Sequence, residues 1–291
     1  MLSYFQILIL ALIQGACELL PVSSSAHVIA AEKLIGWSSG KPIDPSSPEM
    51  TMLLVMLHTG TMFAVIAYFW KGWKRDYFAS AGQTQWFAIQ VIGATVCTGV
   101  VGYGLKILIE KVFMRGAEHA EIENLFSNLP LIAGALAAVG LLIIYAGMNE
   151  QKNPRHTEIQ PQHSFWIGVV QGLCLPFRGF SRSGSTISTG LILGLPKQKL
   201  EEFSFALAVV LTPPIIAQEA HRLLKAHALS GPNSVLHLFA PSLVGMVLSF
   251  ISGLLALKLL SRWLEGGRWK FFGFYCLIAA AGVLLIHYKV K

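Results

Sequence analysis

The stretch IQGACELLPVSSSAHV, residues 13–28, decides the fold because the chain repeats its pattern once. Its first five letters recur as VQGLC at residues 170–174, and its serine run at residues 23–25 corresponds to SRS at residues 181–183. The offset stays at 157 to 158 residues, with one extra residue in the second copy. A colinear match of this length indicates an internal duplication.

Each copy consists of two short apolar pieces around a break rich in Pro, Gly and Ser. Leu2 to Ile13 and Phe165 to Cys174 are apolar but too short to cross a bilayer, which takes about 20 helical residues. Irregular backbone at membrane depth persists only where protein or a water-filled cavity surrounds it. The pattern therefore predicts two re-entrant helical hairpins, each entering and leaving on one side.

The composition is that of a membrane protein. Hydrophobic residues make up 54% of the 291 residues and charged residues 13%, about half the charge of a typical soluble domain. The mean hydropathy is +0.59. Six apolar runs predict membrane spans: Thr51 to Trp70, Trp86 to Ile109, Leu129 to Met148, Phe203 to Gln218, Leu236 to Leu257 and Phe271 to Tyr288.

These elements predict an all-α integral membrane fold with one polytopic domain, residues 1–291. Each half contains one hairpin and three spans, and since three is odd, the two repeats are inverted. We expect repeat 1 at residues 1–148, a cytoplasmic loop at 149–163, and repeat 2 at 164–291. The two hairpins would then meet near the midplane, as in secondary transporters.

The net charge of +7 does not indicate nucleic-acid binding, because the basic residues are scattered among short loops. Loops at 71–75, 152–155, 197–199 and 258–270 carry slightly more Lys and Arg than the opposite face, which favours this face as cytoplasmic. Loop histidines such as His163 are expected in solvent or at the interface. The four cysteines form no CxxC pair, so neither a zinc site nor a disulfide framework is indicated.

The first hairpin concentrates polar residues. Gln14 and Glu18 are four apart, so on a helix they share a face and could hold one ligand or metal together. A carboxylate at membrane depth is costly and indicates function. The alternative places Glu18 at the interface, paired with Lys33 or Lys41.

Ser23, Ser24 and Ser25 follow Pro21, and His27 lies just downstream. The serines could cap the second half-helix or bind an anion at its start. His27 is close enough in sequence to act as general base for a serine hydroxyl, although a lone histidine is more often a core residue.

The second hairpin suits a phosphate, because glycines, hydroxyls and a fixed cation can surround one. Arg182 would grip it, unless this side chain only anchors the helix at the interface. This hairpin contains no acid, so the substrate would supply the negative charge. The polar residues of the second hairpin are Arg178, Ser181, Arg182, Ser183, Ser185 and Thr186.

Three motifs resemble the bacterial undecaprenyl-diphosphatases of the BacA (UppP) bacitracin-resistance type. They are QxxxE at residues 14–18, PVSSSAH at 21–27 and GFSRSGST at 179–186, and EEFSF at 201–205 is also similar. The resemblance covers the whole chain. It implies hydrolysis of undecaprenyl diphosphate to undecaprenyl phosphate and phosphate, recycling the lipid carrier for peptidoglycan synthesis. The site would face the periplasm, at the outer face of the bacterial inner membrane.

The resemblance also implies roles for individual residues. Glu18 and Gln14 would hold a divalent cation, Mg²⁺ or Ca²⁺, while Ser24 matches the proposed nucleophile. His27 matches its neighbouring acid or base, and Arg182 matches the phosphate ligand. Ser181, Ser183 and Thr186 match supporting polar positions of the family. Independently of the resemblance, Ser23, Ser25 and Arg178 are further candidates for substrate binding.

The chain departs from the family pattern in four places. Arg178 stands where proline is usual, Ala26 where glycine is usual, and His58 where glutamine is more usual. Gln14 is permitted by the motif but removes one carboxylate, which weakens metal binding.

Other functions are compatible with the same pattern. A polyprenyl-phosphate transporter or flippase would have the same inverted repeats with broken helices, and a non-catalytic protein could bind a lipid headgroup there. A lipid phosphatase of the PAP2 type is excluded, because the residues after Arg182 lack its His and Asp. The expected partners are a polyprenyl diphosphate substrate and membrane lipids, with a homodimer left open.

Overall fold

In the computed structural model the chain is helical, and the described part of the chain contains no strand. The structure describes residues 2–45, 47–113, 127–150, 154–227 and 233–290. A π-helical turn, Ile109–Phe113, extends α4. The helices of the described ranges are α1 (Tyr4–Leu19), α2 (Ser24–Ser39), α3 (Pro48–Asp76), α4 (Ala81–Leu108), α5 (Leu129–Met148), α6 (Pro161–Cys174), α7 (Arg182–Ile192), α8 (Lys197–His227), α9 (Asn233–Glu265) and α10 (Trp269–Lys289).

Six of the described helices, α3, α4, α5, α8, α9 and α10, are long and apolar enough to cross a membrane. This confirms the six predicted spans in number and order. Most helices extend beyond the predicted apolar run, because capped polar ends continue them. Ser47, for example, caps α3 and is followed by proline at the first helical position.

The two remaining helix pairs contain the predicted breaks. Residues 20–23 separate α1 from α2, and residues 175–181 separate α6 from α7. The predicted loop at 149–163 is too long, because Pro161 already starts α6 and His163 accepts a hydrogen bond from the Gln160 backbone N–H at 3.1 Å. His163 is 3% exposed, so the expectation that it is solvated is wrong. The middle of that loop, residues 151–153, lies outside the described residues.

The first helix of each pair packs against a helix from the other half of the chain. α1 lies on α9, and α6 lies on α4. A Cβ at Gly15 would be 2.5 Å from the Ser249 carbonyl oxygen, and one at Gly172 would be 2.8 Å from the Thr98 carbonyl oxygen. Such small residues let backbones of membrane helices approach closely. α5 packs on α10 and α3 packs on α8, which completes the bundle.

Candidate active site

The break between α1 and α2 ends at a serine with unusual backbone geometry. Ser23 has φ +66°, and no other non-glycine residue in the described ranges has positive φ. Its hydroxyl accepts a hydrogen bond from the Ala26 N–H at 3.5 Å and so caps α2. Ser23 thus has the capping role considered from the sequence, and Ser24 becomes the first residue of α2.

Glu18 is the centre of the polar cluster beside this break. Its Oε2 accepts hydrogen bonds from Gln14 Nε2 at 3.1 Å and from Ser24 Oγ at 2.5 Å. Gln14 and Glu18 therefore share a helix face, as their spacing predicts. His58 of α3 joins them: its Nδ1 lies 3.0 Å from Gln14 Nε2 and 3.9 Å from Glu18 Oε2.

The ring nitrogens of His27 are hydrogen-bonded to groups other than the Ser24 hydroxyl. Nδ1 lies 2.8 Å from the Ser23 carbonyl oxygen, and Nε2 lies 2.8 Å from the Tyr275 hydroxyl. The His27 and Tyr275 rings are also stacked, with centroids 5.6 Å apart. The expected pairing of His27 with the Ser24 hydroxyl is absent in this conformation, because α10 engages the imidazole. The group that Ser24 reaches is the Glu18 carboxylate.

Arg182 is the first residue of α7 and directly follows the break between α6 and α7. Ser181 caps this helix by accepting from the Gly184 N–H at 3.2 Å. Arg182 Nη1 donates to the Ser204 carbonyl oxygen at 3.1 Å, and its guanidinium carbon lies 6.0 Å from the centre of the Phe205 ring. The guanidinium is thus oriented by α8, which leaves its other N–H groups for an anion.

The supporting hydroxyls of α7 face α8 and the first break. Thr186 Oγ1 lies 2.6 Å from Ser204 Oγ, and Ser183 Oγ donates to the Leu20 carbonyl oxygen at 3.3 Å. A Cβ at Gly184 would be 3.2 Å from the Pro21 carbonyl oxygen. The first break is therefore in direct contact with the start of α7.

This contact brings Arg182 within the electrostatic field of Glu18. From the sequence we expect only the substrate to neutralise the positive charge of Arg182, because the second hairpin contains no acidic residue. That expectation is incomplete, since the first helix pair supplies a carboxylate.

Arg178 lies apart from this cluster. It is exposed, and it interacts electrostatically with Glu32 of α2 and Glu219 of α8. The next residue, Gly179, has φ +104° and lies so close to the Ile132 carbonyl that a side chain would collide with it. The structure therefore gives Arg178 acidic neighbours that differ from those of Arg182.

Four residues that contact the site were given no role in it by the sequence analysis. Ser204 and Phe205 orient Arg182, and their only signal was the EEFSF run at 201–205. His58 was visible only as an unusual residue for its position. Nothing in the sequence indicated that Tyr275 belongs to the site.

Glu18 and Gln14, the two metal ligands expected from the sequence, lie side by side. In the described ranges, no three His, Cys, Asp or Glu residues gather into a metal site. Around Glu18 the available donors are instead mixed. They comprise one carboxylate, the Gln14 amide, the Ser24 hydroxyl and the His58 imidazole.

A comparison with known families decides the assignment. The family described as "Bacitracin resistance protein BacA" matches residues 7–282, nearly the whole chain. The chain belongs to the BacA family.

Curated relatives in this family align along their full length. The Acinetobacter baylyi protein named "Undecaprenyl-diphosphatase 2" is 56% identical over 290 residues, which cover 98% of each chain. The Caldicellulosiruptor bescii "Undecaprenyl-diphosphatase" is 31% identical over 297 residues, again 98% of each. The Burkholderia pseudomallei "Undecaprenyl-diphosphatase 1" is 35% identical over 294 residues, 96% of this chain and 95% of that protein. This BacA protein is thus related to proteins named as phosphatases of one lipid diphosphate.

Proposed function

We propose that the protein is a membrane phosphatase that hydrolyses undecaprenyl diphosphate to undecaprenyl phosphate and inorganic phosphate. The observation that carries this proposal is the Ser24 hydroxyl, held 2.5 Å from the Glu18 carboxylate and on the same polar cluster as Arg182. A hydroxyl beside a base and a fixed cation is the arrangement that phosphoryl transfer requires. The identity of the lipid substrate is taken from the names of the relatives, which are undecaprenyl-diphosphatases.

In the first step, Ser24 Oγ attacks the terminal phosphorus while its proton passes to Glu18. The bond from this phosphorus to the bridging oxygen breaks, and undecaprenyl phosphate leaves with the bond electrons. Arg182 balances the charge on the phosphate oxygens, and Ser183 and Thr186 fix the helix that presents it. Most of the rate enhancement would come from positioning and electrostatics.

In the second step, water attacks the phosphoserine at position 24. Glu18 directs the water and the Ser24 oxygen takes back a proton, so free phosphate and the original enzyme result. His27 has a positioning role in this scheme, because it links the backbone at Ser23 to Tyr275. Direct attack by water, with Ser24 only as a ligand, is the competing route.

The donors around Glu18 fit a divalent cation bound mainly by substrate. Mg²⁺ is usually held by one or two carboxylates together with substrate phosphates and water. Glu18, Gln14 and Ser24 would supply the protein oxygens, with His58 alongside. When bound, the ion would neutralise diphosphate charge.

We infer that the two halves are inverted repeats with re-entrant hairpins, and that the site faces the periplasm. The packing of α1 on α9 and of α6 on α4 supports the inverted repeats. If α6 is the duplicate of α1 and α9 the duplicate of α4, each first helix of a pair packs on the corresponding helix of the other half. A hydroxyl also links the helices of each pair: Ser252 Oγ donates to the Leu12 carbonyl, and Thr98 Oγ1 donates to the Gly168 carbonyl. This packing also favours a second candidate function, transport of a polyprenyl phosphate.

A trapping experiment tests the proposed route. Purified protein is mixed with undecaprenyl diphosphate, quenched in acid within the first turnover, and analysed by mass spectrometry for phosphate on the peptide with Ser24. We expect a phosphopeptide in the wild type and none in Ser24→Ala. A Ser24→Ala variant with near-wild-type turnover would eliminate the covalent route and leave attack by water. Lipid transport into vesicles without phosphate release would select the transporter.

A further inference from the structure

A cavity of about 90 Å³ lies where α3 ends and α4 and α8 begin. This volume corresponds to roughly three water molecules at ~30 Å³ each. None of its lining residues belongs to the candidate active site. Its walls combine aromatic rings with polar groups, among them Trp86, Phe87, Phe203, Tyr77, Gln90 and Glu158.

A buried acceptor without a donor lies in the lining of this cavity. Gln90 is 5% exposed; its Nε2 donates to the Ile159 carbonyl at 2.5 Å, but its Oε1 has no hydrogen-bond partner. Behind it, the Tyr77 hydroxyl lies beside the carboxylate of Glu202, which is not part of the lining. One Glu202 oxygen accepts a hydrogen bond from Gln198 at 3.0 Å. An unsatisfied buried acceptor calls for a ligand that donates hydrogen bonds.

The charges around the cavity are unbalanced toward the negative. Asp76 is paired with Arg75 at 2.6 Å, and Glu158 is paired with Lys199 at 3.5 Å. The charged residues of the lining are the carboxylates of Asp76 and Glu158 and the single ammonium of Lys199. This excess of negative charge favours a positively charged ligand.

The position of the cavity selects the kind of cation. The candidate spans of α3 and α4 end at Asp76 and begin at Ala81, so the cavity lies at the level of lipid headgroups. Trp86, which is 47% exposed, forms a wall of this cavity and of an adjoining one of about 380 Å³ that contains Arg155. An indole face attracts an ammonium group, and a guanidinium attracts phosphate.

We propose that these adjoining cavities bind the headgroup of a phospholipid with a primary ammonium, as in phosphatidylethanolamine. The ammonium lies beside Gln90 and Glu158, with the lipid phosphate toward Arg155. The acyl chains remain in the bilayer beside Trp86. This site is independent of the proposed phosphatase reaction, because it shares no residue with the Glu18 and Arg182 cluster.

Native mass spectrometry of the full chain, titrated with defined lipids, tests the site. We expect phosphatidylethanolamine to bind at least about tenfold more tightly, about 1.4 kcal/mol, than phosphatidylcholine or phosphatidylglycerol. Phosphatidylcholine keeps the positive charge but has no N–H donors, and phosphatidylglycerol has no cation. Equal affinity for the three lipids would overturn the proposal, as would their displacement by Na⁺ or Mg²⁺ alone.

Two variants test whether the preference for phosphatidylethanolamine arises at this cavity. Gln90→Leu removes the unpaired acceptor, and Glu158→Gln removes a charge from a side chain that is 70% exposed and tolerant of change. Each is expected to abolish the preference for phosphatidylethanolamine, while Gln85→Leu, an exposed change on the same helix, keeps it. If Gln90→Leu does not fold, Glu158→Gln still decides. A preference unchanged in Glu158→Gln would overturn the assignment.

Discussion

At the scale of single residues, the chemistry depends on one carboxylate oxygen. Glu18 Oε2 accepts hydrogen bonds from both Gln14 and Ser24, so it can take the serine proton without moving. A general base contributes about 10²–10⁴-fold to a rate. We expect Glu18→Gln and Ser24→Ala each to lower phosphate release at least about 10²-fold. Ser38→Ala, an exposed serine on the same helix, is the matched control and is expected to keep full activity.

His27 provides a second residue-scale prediction. Since both ring nitrogens are engaged by Ser23 and Tyr275, His27→Gln is expected to lower kcat less than Ser24→Ala by at least about tenfold, a difference of about 1.4 kcal/mol. Tyr275→Phe should have a smaller effect of the same kind. Phosphate release measured under saturating substrate distinguishes the roles. A His27→Gln loss equal to that of Ser24→Ala would make the imidazole the base.

The sequence predicted that Gln14 and Glu18 share a helix face, because they are four residues apart. It did not predict that the Ser24 hydroxyl meets Glu18, because that contact depends on how the chain turns between α1 and α2. His58, Ser204 and Tyr275 approach from other helices. Their approach depends on how the helices pack, and no local spacing encodes that.

At the scale of elements, glycine contacts set the distance between helices. Gly168 of α6 lies on α4, where an added Cβ would be 2.5 Å from the Ala94 carbonyl oxygen. Gly168→Ala is therefore expected to destabilise the protein by about 1–3 kcal/mol. Thermal unfolding in detergent measures this change.

The matched control lies on the partner helix. An added Cβ at Gly93 meets nothing within 4 Å, so Gly93→Ala is expected to be neutral or stabilising by up to ~1 kcal/mol. Equal melting temperatures for the two variants would contradict the close packing of α6 on α4.

Element boundaries were harder to predict than element existence. Apolar length was sufficient for the six spans, since crossing a bilayer requires it. The start of α6 at Pro161 was missed because His163 and its neighbours are polar. In the fold this polar turn is capped and buried, which hydropathy alone does not indicate.

At the scale of the whole molecule, the proposed orientation can be tested at two loops. Lys41 precedes α3, and Arg268 precedes α10, at the opposite end of the bundle; both are exposed. With a membrane-impermeant maleimide on intact cells, we expect Lys41→Cys to react and Arg268→Cys to react only after lysis. The parent protein, with its four native cysteines, measures background labelling. The reverse pattern would place the site on the cytoplasmic side.

The most direct test of the whole account is phosphate release from undecaprenyl diphosphate by purified protein in detergent. It would be run with and without a divalent chelator, beside Arg182→Ala. We expect release by the wild type, and a loss of at least about 10²-fold on chelation and in Arg182→Ala, as for other groups that stabilise transition-state charge. Folded wild-type protein that releases no phosphate with any divalent ion tried would contradict it, and lipid transport would then be the function to examine.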